Sequence, residues 1–193
     1  MPLKYIPNFL SILRIIIAPL FIVFLLFDSF VLNLLSFFLF FVGSLSDALD
    51  GYIARKYNFT TEIGKYLDPI ADKILILSGF FMLYFFYSNH IQLWMLLLII
   101  IRDFCITMLR ILLKSKGLEM RTSKFAKFKT LYQILVIHII LLFHIFWSEL
   151  ISSITVFSFN FIELLMITCV LYTLLSGFSY IWNYSNFFLY EKK

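Results

Sequence analysis

The chain has 193 residues, of which 62% are hydrophobic and 14% charged, with a mean hydropathy of +0.96. A soluble domain of this length would need far more polar surface, so the composition excludes one and points to an integral membrane protein, with room for six spans of about 20 residues. No basic soluble domain stands behind the net charge of +5, so that charge reads as membrane topology and not as nucleic-acid binding.

The chain opens with MPLKYIPNFLSILRIIIAPLF. This stretch lacks a small-residue cleavage site, and its apolar run is long enough to remain as a span, so no cleaved leader is expected. Apolar segments then succeed one another at about 10–27, 31–46, 70–87, 91–113, 131–147 and 151–175. In lipid the backbone must satisfy its own polar groups, so each segment is predicted to be a helix. The expected fold is an all-α integral membrane protein, a six-transmembrane-helix bundle forming a single domain over residues 1–193. The second segment is short if it stops at Asp47, so its helix is predicted to run on out of the membrane. Pro7, Pro19 and Pro69 are expected at or near helix ends.

The basic residues alternate with these spans. Lys4 and Arg14 stand at the start, Arg55, Lys56 and Lys65 in the second connection, and Lys114, Lys116, Arg121, Lys124, Lys127 and Lys129 in the fourth, with Lys192 and Lys193 at the tail. The connections around Asp28, 87–90 and 147–150 carry neither Lys nor Arg. This pattern predicts an even number of spans with both termini on the cytoplasmic side.

The stretch SDALDGYIARKYNFTTEIGKYLDPIADK, residues 46–73, interrupts the apolar text with Asp47, Asp50, Asp68 and Asp72. Spacings of three and four residues put each pair on one helical face. The first pair ends the second helix and the second begins the third, so an antiparallel arrangement gathers all four at one membrane surface. Like charges so close need compensation. Divalent cations supply it, and all-oxygen ligands favour magnesium, manganese or calcium over zinc. Arg55 suits a phosphate beside such metals, which together suggest phosphoryl chemistry on an amphiphilic substrate. Interfacial salt bridges with Arg55, Lys65 and Lys73, an isoprenoid diphosphate enzyme or a cation transporter would use the same residues, and spacing alone leaves these open.

Arg102 and Asp103 lie in the middle of the fourth segment, where charges must pair or line a polar cavity. Arg110, eight residues on, falls close to the same face and favours a polar groove, with structural ion pairing as the alternative. Cys105 and Cys169 sit in apolar runs and read as helix packing. His90, His138 and His144 do not converge on a metal-binding pattern, and Glu163 has no evident partner.

The residues Asp47-x2-Asp50-Gly51-x2-Ala54-Arg55-x8-Gly64-x3-Asp68-x3-Asp72 resemble, at every fixed position, the signature of the CDP-alcohol phosphatidyltransferase family. The likeness covers most of the chain. IPNFLSILRIIIAP carries Asn8, Arg14 and Pro19 in matching places, and LDPIADK is typical of the third helix. IRDFCITMLRILLKSKG and KFKTLYQ, with Arg102, Asp103, Arg110, Lys127, Lys129, Thr130 and Gln133, look like the bacterial branch that uses glycerol 3-phosphate. Thr173, Ser176 and Tyr180 fit that branch too. Ser11 stands where threonine is common and keeps the hydroxyl; Ala126 replaces a glycine.

The resemblance implies transfer of the phosphatidyl group of CDP-diacylglycerol to glycerol 3-phosphate, giving phosphatidylglycerophosphate and CMP. It further implies two Mg2+ or Mn2+ ions held by Asp47, Asp50, Asp68 and Asp72, with Asp72 taking the proton of the acceptor hydroxyl. Gly51, Ala54, Arg55, Thr61 and Gly64 would hold the CDP portion, and Arg102, Arg110, Lys127, Lys129 and Arg14 the acceptor's phosphate. A homodimer in the bacterial inner membrane, or alternatively the mitochondrial one, with a cytoplasmic active site, completes the expectation. The competing readings are cardiolipin synthesis from phosphatidylglycerol and, in another class, an ion-binding transporter or structural protein.

Overall fold

In the computed structural model residues 6–27, 29–57, 64–115, 124–153, 155–156 and 159–190 are described; at 6–7, 47–57, 65–66, 69, 114–115, 124–127, 148–153, 155–156, 159, 181 and 183–190 this extends to the backbone alone. Six helices account for nearly all of them: α1 Ile6–Leu26, α2 Phe30–Tyr57, α3 Gly64–Phe86, α4 Leu93–Ser115, α5 Lys124–Ser153 and α6 Phe161–Tyr190. A two-residue antiparallel pair, β1 Thr155–Val156 with β2 Phe159–Asn160, joins α5 to α6.

The helices partition their residues as lipid requires. On α1, Ser11 and Arg14 are buried while Phe9, Ile12, Ile16 and Leu20 are exposed. On α5, Lys129 and Gln133 face inward and Leu131 and Leu135 outward; on α6, Thr173 and Ser176 are buried beside exposed Leu171, Leu174, Leu175 and Phe178. Water would invert this order, whereas hydrocarbon solvates the leucines and leaves polar groups to find partners inside. The chain is therefore an all-α, six-helix membrane protein. Among the described residues, Asn8–Leu26, Phe128–Trp147 and Phe161–Tyr180 are each long and apolar enough to cross a membrane, and Phe30–Ser46 is a shorter apolar stretch. α4 falls outside that group because Arg102, Asp103 and Arg110 interrupt it.

Two compact units divide the chain, Met1–Phe86 with Ile137–Glu149 and Tyr87–Val136 with Leu150–Lys193, so the boundary runs through α5. In the first unit, Phe21 of α1 packs against Phe40 of α2 with ring centroids 5.1 Å apart and the rings tilted by 43°. Gly43 lets α2 approach closely: a Cβ there would come within 2.9 Å of Leu75 and 3.4 Å of Ile17. Gly79 of α3 does the same, its Cβ position lying 2.9 Å from both Phe40 and Ile137. Going back from Gly43 to Phe40 on α2 thus means going forward from Leu75 to Gly79 on α3, which makes the two helices antiparallel.

As predicted, α2 does not stop at Asp47; it continues to Tyr57. Two sequence expectations need correcting. Pro19 lies inside α1, not at its end, as membrane helices tolerate. The final apolar run does not make one helix from 151. α5 extends to Ser153, kinking at Trp147, whose φ of −145° and ψ of 41° leave the helical region. α6 begins only at Phe161, where Asn160 Oδ1 accepts a hydrogen bond from the Ile162 amide at 3.1 Å. Asn160 with Glu163 three residues later is a capping pattern legible in the sequence. It also gives Glu163 a place: a carboxylate in the first turn of α6, where the helix dipole favours negative charge.

Candidate active site

The first constellation is built in the first unit. Asp68 and Asp72 occupy the first turns of α3, one helical turn apart and both half-buried. Continuing the antiparallel register from Phe40–Gly79 and Gly43–Leu75 by one and two turns brings the backbone at Asp47 to the level of Asp72, and that at Asp50 to the level of Asp68. The side chains of Asp47, Asp50, Ala54 and Arg55 lie outside the described residues, as does Thr61, and Gly51 is described as backbone within α2. Among the described residues no three His, Cys, Asp or Glu side chains form a metal-binding group; the Asp47 and Asp50 carboxylates lie outside them. The donor set that the backbone brings to one level is all carboxylate, which fits a hard divalent cation. Gly64, expected at the nucleotide, is buried at the start of α3.

α1 supplies a support that the motif does not announce. Ser11, wholly buried, donates from Oγ to Asp68 Oδ1 at 2.5 Å. Arg14, one turn further and equally buried, points Nη2 at the same Ser11 oxygen at 3.4 Å. The sequence signal is the hydroxyl retained at position 11.

The second constellation lies in the second unit. Asp103 of α4 receives Arg102 Nη1 at 3.0 Å on Oδ1 and Lys129 Nζ of α5 at 2.6 Å on both carboxylate oxygens. Arg102 Nη2 also donates to Ser176 Oγ of α6 at 2.8 Å. Gly177 makes room for that arginine, since a Cβ there would sit 3.0 Å from Arg102 Cγ and 3.1 Å from Nε. One turn away, Gln133 Nε2 donates to Thr173 Oγ1 at 3.2 Å. The buried Arg102 Nε and Gln133 Oε1 have no hydrogen-bond partner among the described residues, which leaves one donor and one acceptor beside this polar strip. Of the expected phosphate-binding residues, Arg102 and Lys129 thus meet on one carboxylate. Arg110 is exposed on α4, Arg14 belongs to the first constellation, and the Lys127 side chain lies outside the described residues. Both alternatives for Arg102 and Asp103 are realised in part: the ion pair forms, and polar groups of three helices surround it.

Residues 4–175, which span both carboxylate centres and the Asp47–Asp72 pattern, match the CDP-alcohol phosphatidyltransferase family. The chain belongs to that family, whose enzymes are generally divalent-metal dependent. Among its curated relatives is the CDP-diacylglycerol–glycerol-3-phosphate 3-phosphatidyltransferase of Bacillus subtilis (strain 168), 34% identical over 186 residues, covering 90% of this chain and 92% of that enzyme. The enzymes of the same name from Rickettsia typhi (strain ATCC VR-144 / Wilmington) and Rickettsia bellii (strain RML369-C) are 36% and 33% identical, covering 72% and 90% of the chain and 78% and 92% of the respective relatives.

Proposed function

We infer that the chain transfers the phosphatidyl group of CDP-diacylglycerol to glycerol 3-phosphate, releasing CMP and forming phosphatidylglycerophosphate. The observation that carries this reading is the α2–α3 register, which sets the backbone at Asp47 and Asp50 of α2 level with Asp72 and Asp68 at the start of α3. The relatives' shared name supports the acceptor.

In this reading Asp47, Asp50, Asp68 and Asp72 hold two divalent ions, Mg2+ or Mn2+. When bound, such ions supply positive charge to the diphosphate and to the oxygen that leaves with CMP. Gly51, Ala54, Arg55, Thr61 and Gly64 hold the CDP portion. Arg102, Arg110, Lys127 and Lys129 hold the phosphate of glycerol 3-phosphate, so that its free hydroxyl is presented for attack. Asp72 takes the hydroxyl proton as the new oxygen–phosphorus bond forms and the bond to CMP breaks. Arg14, the fifth phosphate candidate, is wholly buried on α1 with Nη2 turned to Ser11. Residues 1–193 act as a single catalytic domain within a homodimer of a bacterial inner membrane, with termini and site cytoplasmic. The basic connections support that topology, and the family resemblance supports the dimer.

The test is CMP release by purified protein in mixed micelles with CDP-diacylglycerol and Mg2+ or Mn2+. Glycerol 3-phosphate is expected to support turnover and phosphatidylglycerol is not, and Asp72→Asn should lower kcat by about 10²- to 10⁴-fold. CMP formed only with phosphatidylglycerol would overturn the acceptor assignment. A folded protein inert with both would overturn the reaction.

A further inference from the structure

From the Arg14–Ser11–Asp68 chain we propose that Ser11 and Arg14 are positioning residues that orient Asp68 and thereby set the affinity of the carboxylate site for its divalent ion. The inference rests on the metal-binding part of the proposed function. A guanidinium can only donate, so Arg14 Nη2 must meet a lone pair of the Ser11 oxygen. An ionised carboxylate can only accept, so the single hydroxyl proton of Ser11 points at Asp68 Oδ1, 2.5 Å away. The Ser11 hydroxyl proton is thereby directed at the carboxylate, and the burial of Ser11 and Arg14 keeps water from competing. With Oδ1 so held, rotation of the carboxylate is restricted and Oδ2 would be the oxygen offered to a cation.

The support is neutral where it touches the ligand. A lysine or arginine placed directly on Asp68 would compete with the metal for its charge, whereas a serine hydroxyl orients the carboxylate and leaves its charge to the ion. Arg14 polarises that hydroxyl from behind, one residue removed. Outer partners of this kind change metal affinity by about 10- to 100-fold when lost.

The test compares Ser11→Thr with Ser11→Val, two side chains of the same shape that differ in the hydroxyl. Mn2+ binding to the full-length protein in detergent, without substrate, is read from the electron paramagnetic resonance signal of free Mn2+. Ser11→Thr should bind as the wild type does, and Ser11→Val about tenfold more weakly. Excess Mn2+ should restore CMP release to the valine variant, with KM for glycerol 3-phosphate unchanged. Equal Mn2+ affinity in the two variants would overturn the proposal. If the metal-free unfolding temperature shows that valine disturbs packing, Ser11→Ala replaces it in the comparison, with the same outcomes. Wild-type protein that binds Mn2+ but releases no CMP would overturn the reaction and leave this inference standing, whereas a wild type that binds no Mn2+ would overturn the metal site and the inference together.

Discussion

Asp68 in the first unit and Asp103 in the second are both half-buried carboxylates on apolar helices, and they are held in opposite ways. Asp68 meets a serine hydroxyl, with an arginine one step behind. Asp103 meets two cations directly, Lys129 on both oxygens and Arg102 on one. A carboxylate clamped by two positive charges has none of its own to offer a metal, and its work is to fix those cations. A carboxylate oriented by a neutral donor keeps its charge for a ligand. Both motifs spell Asp beside basic residues, and only the identity of the touching group separates an ion-binding role from a charge-balancing one.

The largest effect that would sharpen this contrast is expected at Asp103. Asp103→Asn removes the carboxylate charge that Lys129 and Arg102 share, which should destabilise the protein by about 3 kcal/mol, read as a lowered unfolding temperature in detergent. Replacing the three charges together, Arg102→Met, Asp103→Leu and Lys129→Met, should recover much of that loss. An Asp103→Asn protein as stable as the wild type would show that the cations do not need this carboxylate. A smaller effect is expected at Gly177. The Cβ of Gly177→Ala would crowd the Arg102 stem at 3.0 Å, costing about 1 kcal/mol or roughly fivefold in kcat/KM for glycerol 3-phosphate. Metal activation and KM for CDP-diacylglycerol should not change, because the disturbance stays on α4 and α6.

Much of this architecture is legible in the amino-acid sequence. The apolar segments locate six helices, and the shortness of the second against the polar stretch predicts a helix running past Asp47. The aspartate spacing predicts two helix ends meeting at one level, and the positions of Gly43 and Gly79 account for that register. What the sequence conceals is carried by residues whose role depends on a distant partner. Ser11 reads as a tolerated replacement until Asp68, far along the chain, is beside it. Gly177 reads as one more small residue in an apolar helix until Arg102 lies across it. Arg14 satisfies the rule for basic residues near the cytoplasmic side, and that rule hides its burial. The late start of α6 is obscured for a different reason. Hydropathy continues through residues 151–160 without a break, whereas the local hydrogen-bonding pattern of Asn160 and Glu163 marks the boundary.

The most direct measurement is Mn2+ titration of the full-length protein in detergent with Asp68→Asn and Asp103→Asn side by side. The contrast between the two carboxylates predicts that Asp68→Asn loses Mn2+ binding and that Asp103→Asn, handled below its own lowered unfolding temperature, keeps the wild-type affinity. Retained binding in Asp68→Asn together with lost binding in Asp103→Asn would contradict it, and would move the metal to the centre here assigned to charge balance.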